Sequence, residues 1–584
     1  MNPQMFSILY KLKWFFNMYR RRYVIGILLL LIVGLFEMVP PKLMGQAIDQ
    51  IQQGTFTSAK LSEFLLLFLG IMVVIYVMGY SWMYQIFGGS FVIERILRTR
   101  FMKHLLKMTP TFFEKNRTGD LMARATNDLG AVSTTVGFGI LTMVDSSFFM
   151  LTILFTMGFM ISWKLTLAAI LPLPLIAVAM SIYGKKIHER FTLAQDAFGK
   201  LNDQVLEAIS GVRVIRAYVQ ERADERRFKA VTDDVFQKNL DVTRIDALFE
   251  PTIKILVGIS YMIGLAYGAY LVFHQEITLG ELVSFNVYLG MMIWPMFAMG
   301  ELINVMQRGN ASLDRVNEIL SYEPDVQDPA ETQSVGVPHM IEFDQVTFTY
   351  PTSETKNLKE ISFTLDRGQT LGIVGKTGSG KTTLLKQLLR EYPIGHGEIK
   401  VAGTALGSIS LSEINEWIAY VPQEQILFSR TVQENILYGR RHGTEDDVLQ
   451  ALESASFLQD INTLSSGLET IVGEKGVSLS GGQKQRVSIA RALIADAEIL
   501  VLDDAMSAVD AKTEAKIIGN IRRERAGRTT LITTHRLSAV QHADLILVLD
   551  NGEIIERGTH EELLAANGWY KEQFDRQQVE ANLS

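Results

Sequence analysis

Long runs of apolar residues that contain no charged side chain are the feature that most restricts the fold of this chain. Three such runs cover residues 64–93, 165–184 and 255–273. A run of about 18 or more apolar residues is long enough to cross the hydrocarbon core of a bilayer as a helix. Beyond about residue 320 no run of this kind occurs, and charged residues become frequent. The pattern therefore predicts a membrane-embedded half followed by a soluble half.

The connectors between the apolar runs alternate in their content of basic residues. Lys and Arg are frequent before the first run and in two long connectors, whereas the other connectors are short and contain few of them. Because basic residues favour the cytosolic side of a membrane, both chain ends and the two long connectors are expected in the cytosol. The six predicted spans centre on residues 23–39, 64–87, 136–161, 165–183, 255–273 and 282–299.

Helical periodicity continues into the long connectors, so the spans are expected to continue as helices well beyond the bilayer. Residues 5–18 mix Phe, Leu and Trp with Lys. This mixture is typical of an amphipathic helix at the membrane interface, although an extension of the first span fits nearly as well. No small-residue cleavage site follows the first apolar run, which is therefore interpreted as a retained span and not as a signal peptide.

A change in sequence pattern marks a second domain. Residues 321–338 are polar, acidic and contain proline, which is typical of a linker. After the linker, short apolar strands alternate with helices, and this alternation predicts a parallel sheet with crossover helices. We therefore expect a multi-domain chain, with an all-α transmembrane domain of six helices and an N-terminal elbow helix over residues 1–320, and an α/β domain over residues 339–584. Asn551-Gly552 predicts a hairpin turn at the edge of the sheet.

Composition excludes several classes of function. The chain has no cysteine, which excludes disulfides, metal–thiolate sites and a thiol nucleophile. Its net charge of −7 gives no indication of nucleic-acid binding, so no nucleic-acid partner is expected. Its hydrophobic content of 48% is high for a soluble protein and agrees with the predicted spans.

A glycine-rich loop in the second domain has the pattern G-x-x-x-x-G-K-[ST]. An apolar strand, residues 371–374, precedes the loop and a helical pattern follows it, which is the context that this motif requires. Glycines allow backbone N–H groups to point at phosphate oxygens, and the N-terminus of the helix adds a favourable dipole. The predicted nucleotide-binding residues of this loop are Gly375, Lys376, Thr377, Gly378, Ser379, Gly380, Lys381, Thr382 and Thr383.

Three residues have side chains suited to particular parts of a nucleoside triphosphate and its magnesium ion. Lys381 can reach the β- and γ-phosphates, and the Thr382 hydroxyl can hold Mg²⁺. Asp503 follows four apolar residues, 499–502, at the end of a predicted buried strand. A carboxylate is costly there unless it has a partner, so Asp503 is predicted to serve the same Mg²⁺. An Asp that merely caps a helix is the alternative.

The second domain resembles the nucleotide-binding domain of ABC transporters. Family motifs are matched by Leu479-Ser480-Gly481-Gly482-Gln483 (the signature), Gln423 (the Q-loop), His535 (the switch histidine), Ser507-Ala508-Val509-Asp510 (the D-loop), Tyr350 (the aromatic that stacks on adenine) and a segment around Glu474. The resemblance implies ATP and Mg²⁺ as cofactors. It also implies catalytic roles for His535 and Gln423, with Gln423 binding Mg²⁺ as well. The resemblance further implies that four residues close over ATP that is held by another subunit. They are Ser480, Gly481, Gly482 and Gln483.

The membrane half resembles the type IV exporters of the same family. The matching segments lie in the two long connectors. They are Phe112-Phe113, residues 119–121, Asn127-Asp128, residues 207–211 and residues 215–218. In that family these connectors carry coupling helices that dock on the nucleotide-binding domains. Since one chain holds one set of motifs, the resemblance implies that the working unit is a dimer.

One residue departs from the family pattern. After the strand-end Asp the family has Glu, which orients or deprotonates the attacking water, but this chain has Asp504. The carboxylate is one methylene shorter and sits back by about 1 Å, a displacement that can cost roughly 10²-fold in rate. Because the signature is intact, the chain is similar to the degenerate-site half of heterodimeric multidrug exporters of Gram-positive bacteria. Its partner would supply a Glu and an altered signature. The alternative is that Asp504 substitutes with some loss.

Three carboxylates lie in or near the predicted spans. Asp145 is inside the third span, and Glu37 and Glu301 lie near span ends. An ionisable residue inside a span suggests a functional site. Facing a cavity, Asp145 could attract cationic drugs, whereas a helix–helix hydrogen bond is the alternative. Aromatic side chains that could face such a cavity are Phe148, Phe149, Trp294 and Phe297.

The function expected from the sequence is ATP-driven export of amphipathic drugs or other hydrophobic small molecules across a bacterial cytoplasmic membrane. The expected partners are a second half-transporter subunit, membrane lipid and a hydrophobic or cationic substrate. A homodimeric lipid or peptide exporter is an alternative within the family. An ATP-gated regulator is an alternative of another class.

Overall fold

The structure, a computed structural model, describes residues 7–473 and 479–583 and divides into two compact units. One unit contains the chain up to Lys103 together with Met122–Ser321, and the other contains His104–Leu121 and the chain from Tyr322 onward. The sequence pattern places residues 104–121 in the first domain, whereas their contacts place them in the second unit. Met5, in the predicted amphipathic helix, and Glu474 lie outside the described residues.

Helices account for nearly all of residues 7–321. They are α1 (Ser7–Lys11), α2 (Lys13–Met18), α3 (Arg20–Phe36), α4 (Val39–Gln52), α5 (Ser58–Leu105), α6 (Pro110–Lys115), α7 (Thr118–Ala123), α8 (Leu129–Val144), α9 (Met150–Met157), α10 (Trp163–Ile170), α11 (Pro174–Ala217), α12 (Glu221–Asp246), α13 (Phe249–Phe273), α14 (Leu279–Met291) and α15 (Ile293–Leu320). Three π-helical turns, Arg124–Asp128, Asp145–Phe149 and Gly158–Ser162, join consecutive helices between α7 and α10.

Among the described residues, five helical stretches are long and apolar enough to cross a membrane. They are Arg20–Gln52, Ser58–Leu105, Thr118–Ala217, Glu221–Phe273 and Leu279–Leu320. The sequence pattern predicts six spans, and the difference arises because the third and fourth predicted spans share the 100-residue stretch. Within it, the backbone of Ser162 is extended (φ −165°, ψ 123°) and its hydroxyl accepts from the Leu165 N–H at 3.4 Å. This break separates the two predicted spans.

The long helices exceed the thickness of a membrane. Helix α5 has 48 residues and is therefore about 72 Å long at 1.5 Å per residue. A bilayer's hydrocarbon core is only about 30 Å thick. The prediction that spans continue as helices beyond the bilayer is confirmed.

The N-terminal segment forms two short helices, α1 and α2, which pack within the first unit. Ile8, Leu12 and Phe15 are buried, and Ser7 Oγ donates to Asn310 Oδ1 of α15 at 2.7 Å. The protein thus covers these three apolar side chains of the segment, whereas Trp14 is 38% exposed.

A buried carboxylate links the start of α8 to α15. Asp128 is 8% exposed and accepts hydrogen bonds from Ser312 Oγ and Arg315 Nε, both at 2.9 Å, and a second one from Arg315 Nη2. Charge-assisted bidentate contacts of this kind are stronger than neutral hydrogen bonds.

The second unit contains two sheets. Its strands are β1 (Met340–Thr349), β2 (Lys356–Asp366), β3 (Thr370–Gly375), β4 (His396–Val401), β5 (Thr404–Ala405), β6 (Ile418–Val421), β7 (Ile499–Asp503), β8 (Thr529–Thr533), β9 (Leu545–Asp550) and β10 (Glu553–Gly558). A four-stranded antiparallel sheet has the order β2-β1-β4-β5. A six-stranded sheet has the order β10-β9-β3-β8-β7-β6 and is parallel except for the edge hairpin of β9 and β10. The predicted α/β class with a parallel sheet is confirmed.

Helices cover both faces of the parallel sheet, because its central strands are apolar on both sides. In β7, Ile499 and Val501 belong to one hydrophobic core, and Leu500 and Leu502 belong to the other. A strand buried on both faces has a continuous apolar sequence instead of an alternating one. The helices of this unit are α16 (Lys381–Leu388), α17 (Leu411–Trp417), α18 (Val432–Leu437), α19 (Glu445–Ser454), α20 (Leu458–Ile461), α21 (Gly481–Leu493), α22 (Ala511–Glu524), α23 (His560–Ala566) and α24 (Trp569–Leu583).

The short helix α6 belongs to the second unit because its polar side chains bond there. Glu114 accepts hydrogen bonds from Tyr392 OH at 2.5 Å and from Thr352 Oγ1 at 2.9 Å. Phe112 packs edge-on against Tyr322, with ring centroids 5.3 Å apart. This is the segment that resembles a coupling helix. The matching segments of the second connector, residues 207–211 and 215–218, by contrast, lie in the last turns of α11 and end at Tyr218, which is 74% exposed.

Replacing Arg315 by Ala should destabilise the first unit, because the buried Asp128 carboxylate loses its bidentate partner. Since the Arg315 side chain is itself 50% exposed, we expect a loss of only about 1–3 kcal/mol. The measurement is the thermal unfolding midpoint in lipid, with Arg308→Ala, an exposed arginine of the same helix, as the control. Equal midpoints for the two variants would contradict the role of this ion pair.

Candidate nucleotide site

The glycine-rich loop connects the end of β3 to the start of α16. Gly375 has φ 149°, and a Cβ there would lie 2.1 Å from the carbonyl oxygen of Leu549. Gly380 has φ 107°, and a Cβ there would lie 2.8 Å from the carbonyl oxygen of Asn357. Only glycine combines these backbone angles with such close approaches. The two glycines therefore fix a loop that no other residue type could form.

The loop encloses a cationic side chain and an unpartnered hydroxyl. Lys381 Nζ donates to the carbonyl oxygens of Gly375 and Lys376, both at 2.9 Å. Burial lowers the pKa of the Lys381 ammonium, whereas the carboxylates of Asp504 and Asp503 act in the opposite direction. Within the described residues, the buried Ser379 Oγ has no hydrogen-bond partner. A cation, a free hydroxyl and a helix N-terminus fit the phosphate groups of a nucleotide.

The two residues predicted from the sequence to share Mg²⁺ lie in contact. Thr382 Oγ1 donates to Asp503 Oδ1 at 3.0 Å, and Asp503 is 1% exposed at the end of β7. Mg²⁺ in nucleotide sites is usually held by one or two protein oxygens together with phosphate oxygens and water. This pair fits that requirement. Among the residues that the structure describes, no group of three or more His, Cys, Asp or Glu side chains could hold a metal by itself.

Two hydrogen bonds fix the backbone at Asp504. Its N–H donates to Thr533 O at 3.0 Å and to Thr533 Oγ1 at 3.1 Å, and its φ is 45°. Asp is one of the few residue types that adopt this left-handed conformation readily. Burial raises the pKa of the Asp504 carboxyl, and Asp503 acts in the same direction, whereas His535, Lys381 and Arg536 lower it. The net shift is upward, which makes the carboxylate a stronger base than an exposed Asp.

His535 follows β8 and lies within reach of these groups. Burial lowers the pKa of its imidazole, as does the charge of Lys381, whereas Asp504 and a hydrogen bond to the Gly375 backbone raise it. The net shift is downward, so the imidazole is mainly neutral at neutral pH. A neutral imidazole can both donate and accept a hydrogen bond.

Two further predicted residues border this cluster. Tyr350 OH donates to Thr383 Oγ1 at 3.0 Å, which sets the Tyr350 ring beside α16. Gln423 is exposed two residues after β6, whose Val421 pairs with Leu502 of β7. Gln423 therefore lies at the edge of the sheet where Asp503 also lies, because the carboxyl ends of parallel strands meet at one edge.

The signature residues lie at the start of a different helix. Ser480 caps α21, with Ser480 Oγ accepting from the Gln483 N–H at 3.3 Å and Gln483 Oε1 accepting from the Ser480 N–H at 2.9 Å. A Cβ at Gly482 would lie 2.9 Å from the carbonyl oxygen of Ala508 in the D-loop. The signature residues are therefore packed against the D-loop, and the hydrogen bonds of their side chains do not reach Lys381 or Asp503.

Thr533 is a member of the cluster that the sequence pattern did not single out. It is 1% exposed, and its hydroxyl donates to Asp503 Oδ1 at 2.6 Å while accepting from the Asp504 N–H. The parallel register places Thr533 opposite Asp503. The sequence alone does not identify Thr533, because a hydroxyl at the end of a strand can be assigned to a site only once the neighbouring strand is known.

Replacing Thr533 by Val should preserve shape and remove both hydrogen bonds of the hydroxyl. We expect a loss of about 1–3 kcal/mol in stability, because Asp503 and the Asp504 N–H lose a buried partner. ATP turnover should fall by about tenfold or more, because both carboxylates lose their positions. The control is Thr530→Val, a buried threonine on the same strand. Equal turnover of the two variants, measured on purified protein in lipid, would show that Thr533 does not position the site.

Comparison with family models gives two matches along the chain. Residues 23–296 match the model of the ABC transporter transmembrane region, and residues 358–507 match the ABC transporter model. The order of the two matches is that of the helical unit and the α/β unit described above.

Similarity to individual proteins extends over nearly the whole chain. The chain is 65% identical over 575 residues to the probable multidrug resistance ABC transporter ATP-binding/permease protein YheI of Bacillus subtilis (strain 168), covering 98% of each sequence. It is 35% identical over 506 residues to the ATP-dependent lipid A-core flippase of Syntrophus aciditrophicus (strain SB), covering 86% of this chain and 84% of the relative. A solved bacterial Atm1-family ABC exporter with ATP bound superimposes with a TM-score of 0.78 at 25% identity, covering 96% of this chain and 98% of the other. The chain therefore belongs to the ABC transporter family, as a multi-span exporter in which ATP hydrolysis is coupled to transport.

Proposed function

We propose that this chain is one half of a heterodimeric exporter that moves amphipathic, often cationic, small molecules out of the cell. In this proposal the nucleotide site built on Lys381 and Asp504 binds ATP with Mg²⁺ and hydrolyses it slowly. The partner subunit supplies a Glu for the second site, which the signature of this chain completes. The relative named as a multidrug resistance transporter supports the substrate class.

The position of Asp504 is the observation that carries this proposal. Its N–H is bonded to both the carbonyl and the hydroxyl of Thr533. The backbone therefore cannot advance to replace the missing methylene, and the carboxylate remains about 1 Å short of where a Glu would reach. A shortfall of this size costs roughly 10²-fold where geometry limits the rate.

An exposed apolar turn supports a dimeric assembly. Between α11 and α12, Tyr218 is 74% exposed and Val219 is 79% exposed, at the segment that resembles the second coupling loop. Large apolar side chains grouped at an exposed turn are typical of an interaction site. We propose that this turn docks on the ATPase domain of the partner subunit.

A cavity in the first unit supports a cationic substrate. It has a volume of about 350 Å³, and Asp145 and Glu37 line it together with the aromatic side chains of Trp82, Phe148, Phe149 and Trp294. Trp294 Nε1 donates to Asp145 Oδ2 at 2.8 Å. Carboxylates beside aromatic faces attract organic cations through charge and through cation–π contacts. Phe297 and Glu301 are not among the residues that line this cavity.

The proposed location is the bacterial cytoplasmic membrane, with membrane lipid around the spans and both chain ends in the cytosol. The basic connectors support this orientation, because Lys and Arg favour the cytosolic side. A homodimeric lipid exporter is the second candidate, and the similarity to a lipid A-core flippase supports it. The two carboxylates in the cavity favour a cationic substrate over a negatively charged lipid.

ATPase activity of the chain alone in lipid should be very low and should rise when Asp504 is replaced by Glu. We expect an increase of about tenfold or more, because the longer side chain restores the reach of the base. Steady-state phosphate release measures the effect, and Asp504→Asn is the matched control that keeps the short side chain without the charge. Lys381→Ala defines the background.

Strong turnover by the unsubstituted chain would contradict the asymmetric pair. It would make a homodimer, with Asp504 as a sufficient base, the better account. Low turnover of the unsubstituted chain, together with a rise in Asp504→Glu, would agree with the heterodimer.

Replacing Asp145 by Asn should weaken binding of a hydrophobic cation such as tetraphenylphosphonium by about tenfold, because one carboxylate of the cavity is neutralised. Binding of an uncharged molecule of similar size should change little. Equilibrium binding to the reconstituted exporter measures both ligands, with Glu301→Gln as the control. Equal losses for the cation and the neutral ligand would count against charge recognition by Asp145.

A further inference from the structure

The C-terminal helix α24 bonds directly to the backbone around the switch histidine. Gln577 Nε2 donates to the carbonyl oxygen of His535 at 2.8 Å, and Gln577 Oε1 accepts from the N–H of Leu537 at 2.9 Å. One side chain thus holds the backbone on both sides of Arg536. From this geometry we infer that Gln577 is a positioning residue for ATP hydrolysis, which holds His535 in place from the C-terminal helix.

The chemistry of this contact requires a primary amide. A glutamine side chain has a donor and an acceptor at its end, and both are used here. A Glu at this position could accept from Leu537 but could not donate to the His535 carbonyl. An Ala would leave the N–H of Leu537, at the start of a short 3₁₀ turn, without this acceptor. An unpaired backbone group of this kind destabilises the conformation that exposes it.

The side chain of Arg536 is held by a different part of the unit from the backbone beside it. Arg536, between the two bonded residues, extends to the other side, where its Nη1 donates to Val509 O at 2.7 Å and to Glu514 Oε2 at 2.6 Å. Residues 535–537 are therefore held from two directions. The D-loop and α22 bind the side chain of Arg536, and Gln577 of α24 binds the backbone of His535 and Leu537. Loss of either hold would let the imidazole of His535 shift relative to Asp504.

Helix α24 is itself firmly placed, so Gln577 can act as a fixed support. Tyr570 is fully buried near the start of the helix, and its N–H donates to Glu556 Oε2 of β10 at 3.2 Å. Tyr570, Phe574 and Gln577 are spaced at i, i+4 and i+7 and therefore lie on one face of the helix. Gln577 is thus a polar residue on the inward face, whereas Gln578 is exposed.

This inference rests on the contacts within one chain and not on the proposed heterodimer. The test compares Gln577→Ala and Gln577→Glu with the matched control Gln578→Ala in the full chain in lipid nanodiscs. Hydrogen exchange of peptides that contain Leu537 reports the bond to its N–H. Titration of the ¹³C-labelled His535 imidazole, assigned by its loss in His535→Asn, reports the position of the ring.

For Gln577→Ala we expect exchange at Leu537 to accelerate by about tenfold, the effect of losing one hydrogen bond. The His535 titration should move upward toward the ordinary value of histidine, because the ring becomes less buried. Gln577→Glu should protect Leu537 in part but should not restore the His535 titration. Gln578→Ala should match the unsubstituted chain in both measurements.

The rate of ATP turnover is a measurement that would not change if Gln577 had only a structural role. The measurement uses whichever form of the chain hydrolyses ATP, unsubstituted or Asp504→Glu. In that form, Gln577→Ala should lower kcat by about tenfold and leave KM within about twofold. The reason is that His535 acts on the reaction and not on nucleotide binding. An unchanged His535 titration, or an unchanged kcat despite faster exchange at Leu537, would overturn the inference. Failure of the Asp504→Glu substitution to raise turnover would count against the heterodimer proposal alone.

Discussion

The pairing of β3, β8 and β7 in parallel register is the constraint on which the nucleotide site depends. Because the carboxyl ends of these strands meet at one edge, Gly375, Thr533 and Asp503 come together although they are far apart in sequence. Thr382, at the start of the helix after β3, then reaches Asp503 at 3.0 Å. Without this register neither the proposed magnesium pair nor the position of Asp504 would exist.

The conformation of the glycine-rich loop depends on contacts with a neighbouring hairpin as well as on its own glycines. The hairpin between β9 and β10 lies against it, and the N–H of Gly552 donates to the carbonyl oxygen of Ser379 at 3.0 Å. Leu549, on the strand that leads into the hairpin, sets the close approach that excludes a side chain at Gly375. A turn that the sequence identifies only as an edge feature therefore helps to hold the backbone of the glycine-rich loop.

In the membrane unit, hydropathy determines which segments are helices, and small residues determine how closely they pack. A Cβ at Gly309 of α15 would lie 1.9 Å from Thr135 Oγ1 of α8, and one at Gly45 of α4 would lie 2.1 Å from Ser284 Oγ of α14. Close approach at small residues is a general means of association between membrane helices, where the hydrophobic effect gives little driving force. This packing brings Trp294 to Asp145, a contact that a list of spans does not contain.

The sequence by itself determined the order of the two domains, the location of the apolar stretches, the glycine-rich loop and the departure at Asp504, because each depends on residues that are adjacent in the chain. The tertiary structure decided what those residues touch. It placed residues 104–121 with the ATPase unit, separated two predicted spans at Ser162, and brought Thr533 to Asp503 and Gln577 to His535. Such contacts depend on strand register and on the docking of helices that are distant in sequence. Hydropathy and local motifs hold no information about either, since both follow from the packing of the whole domain.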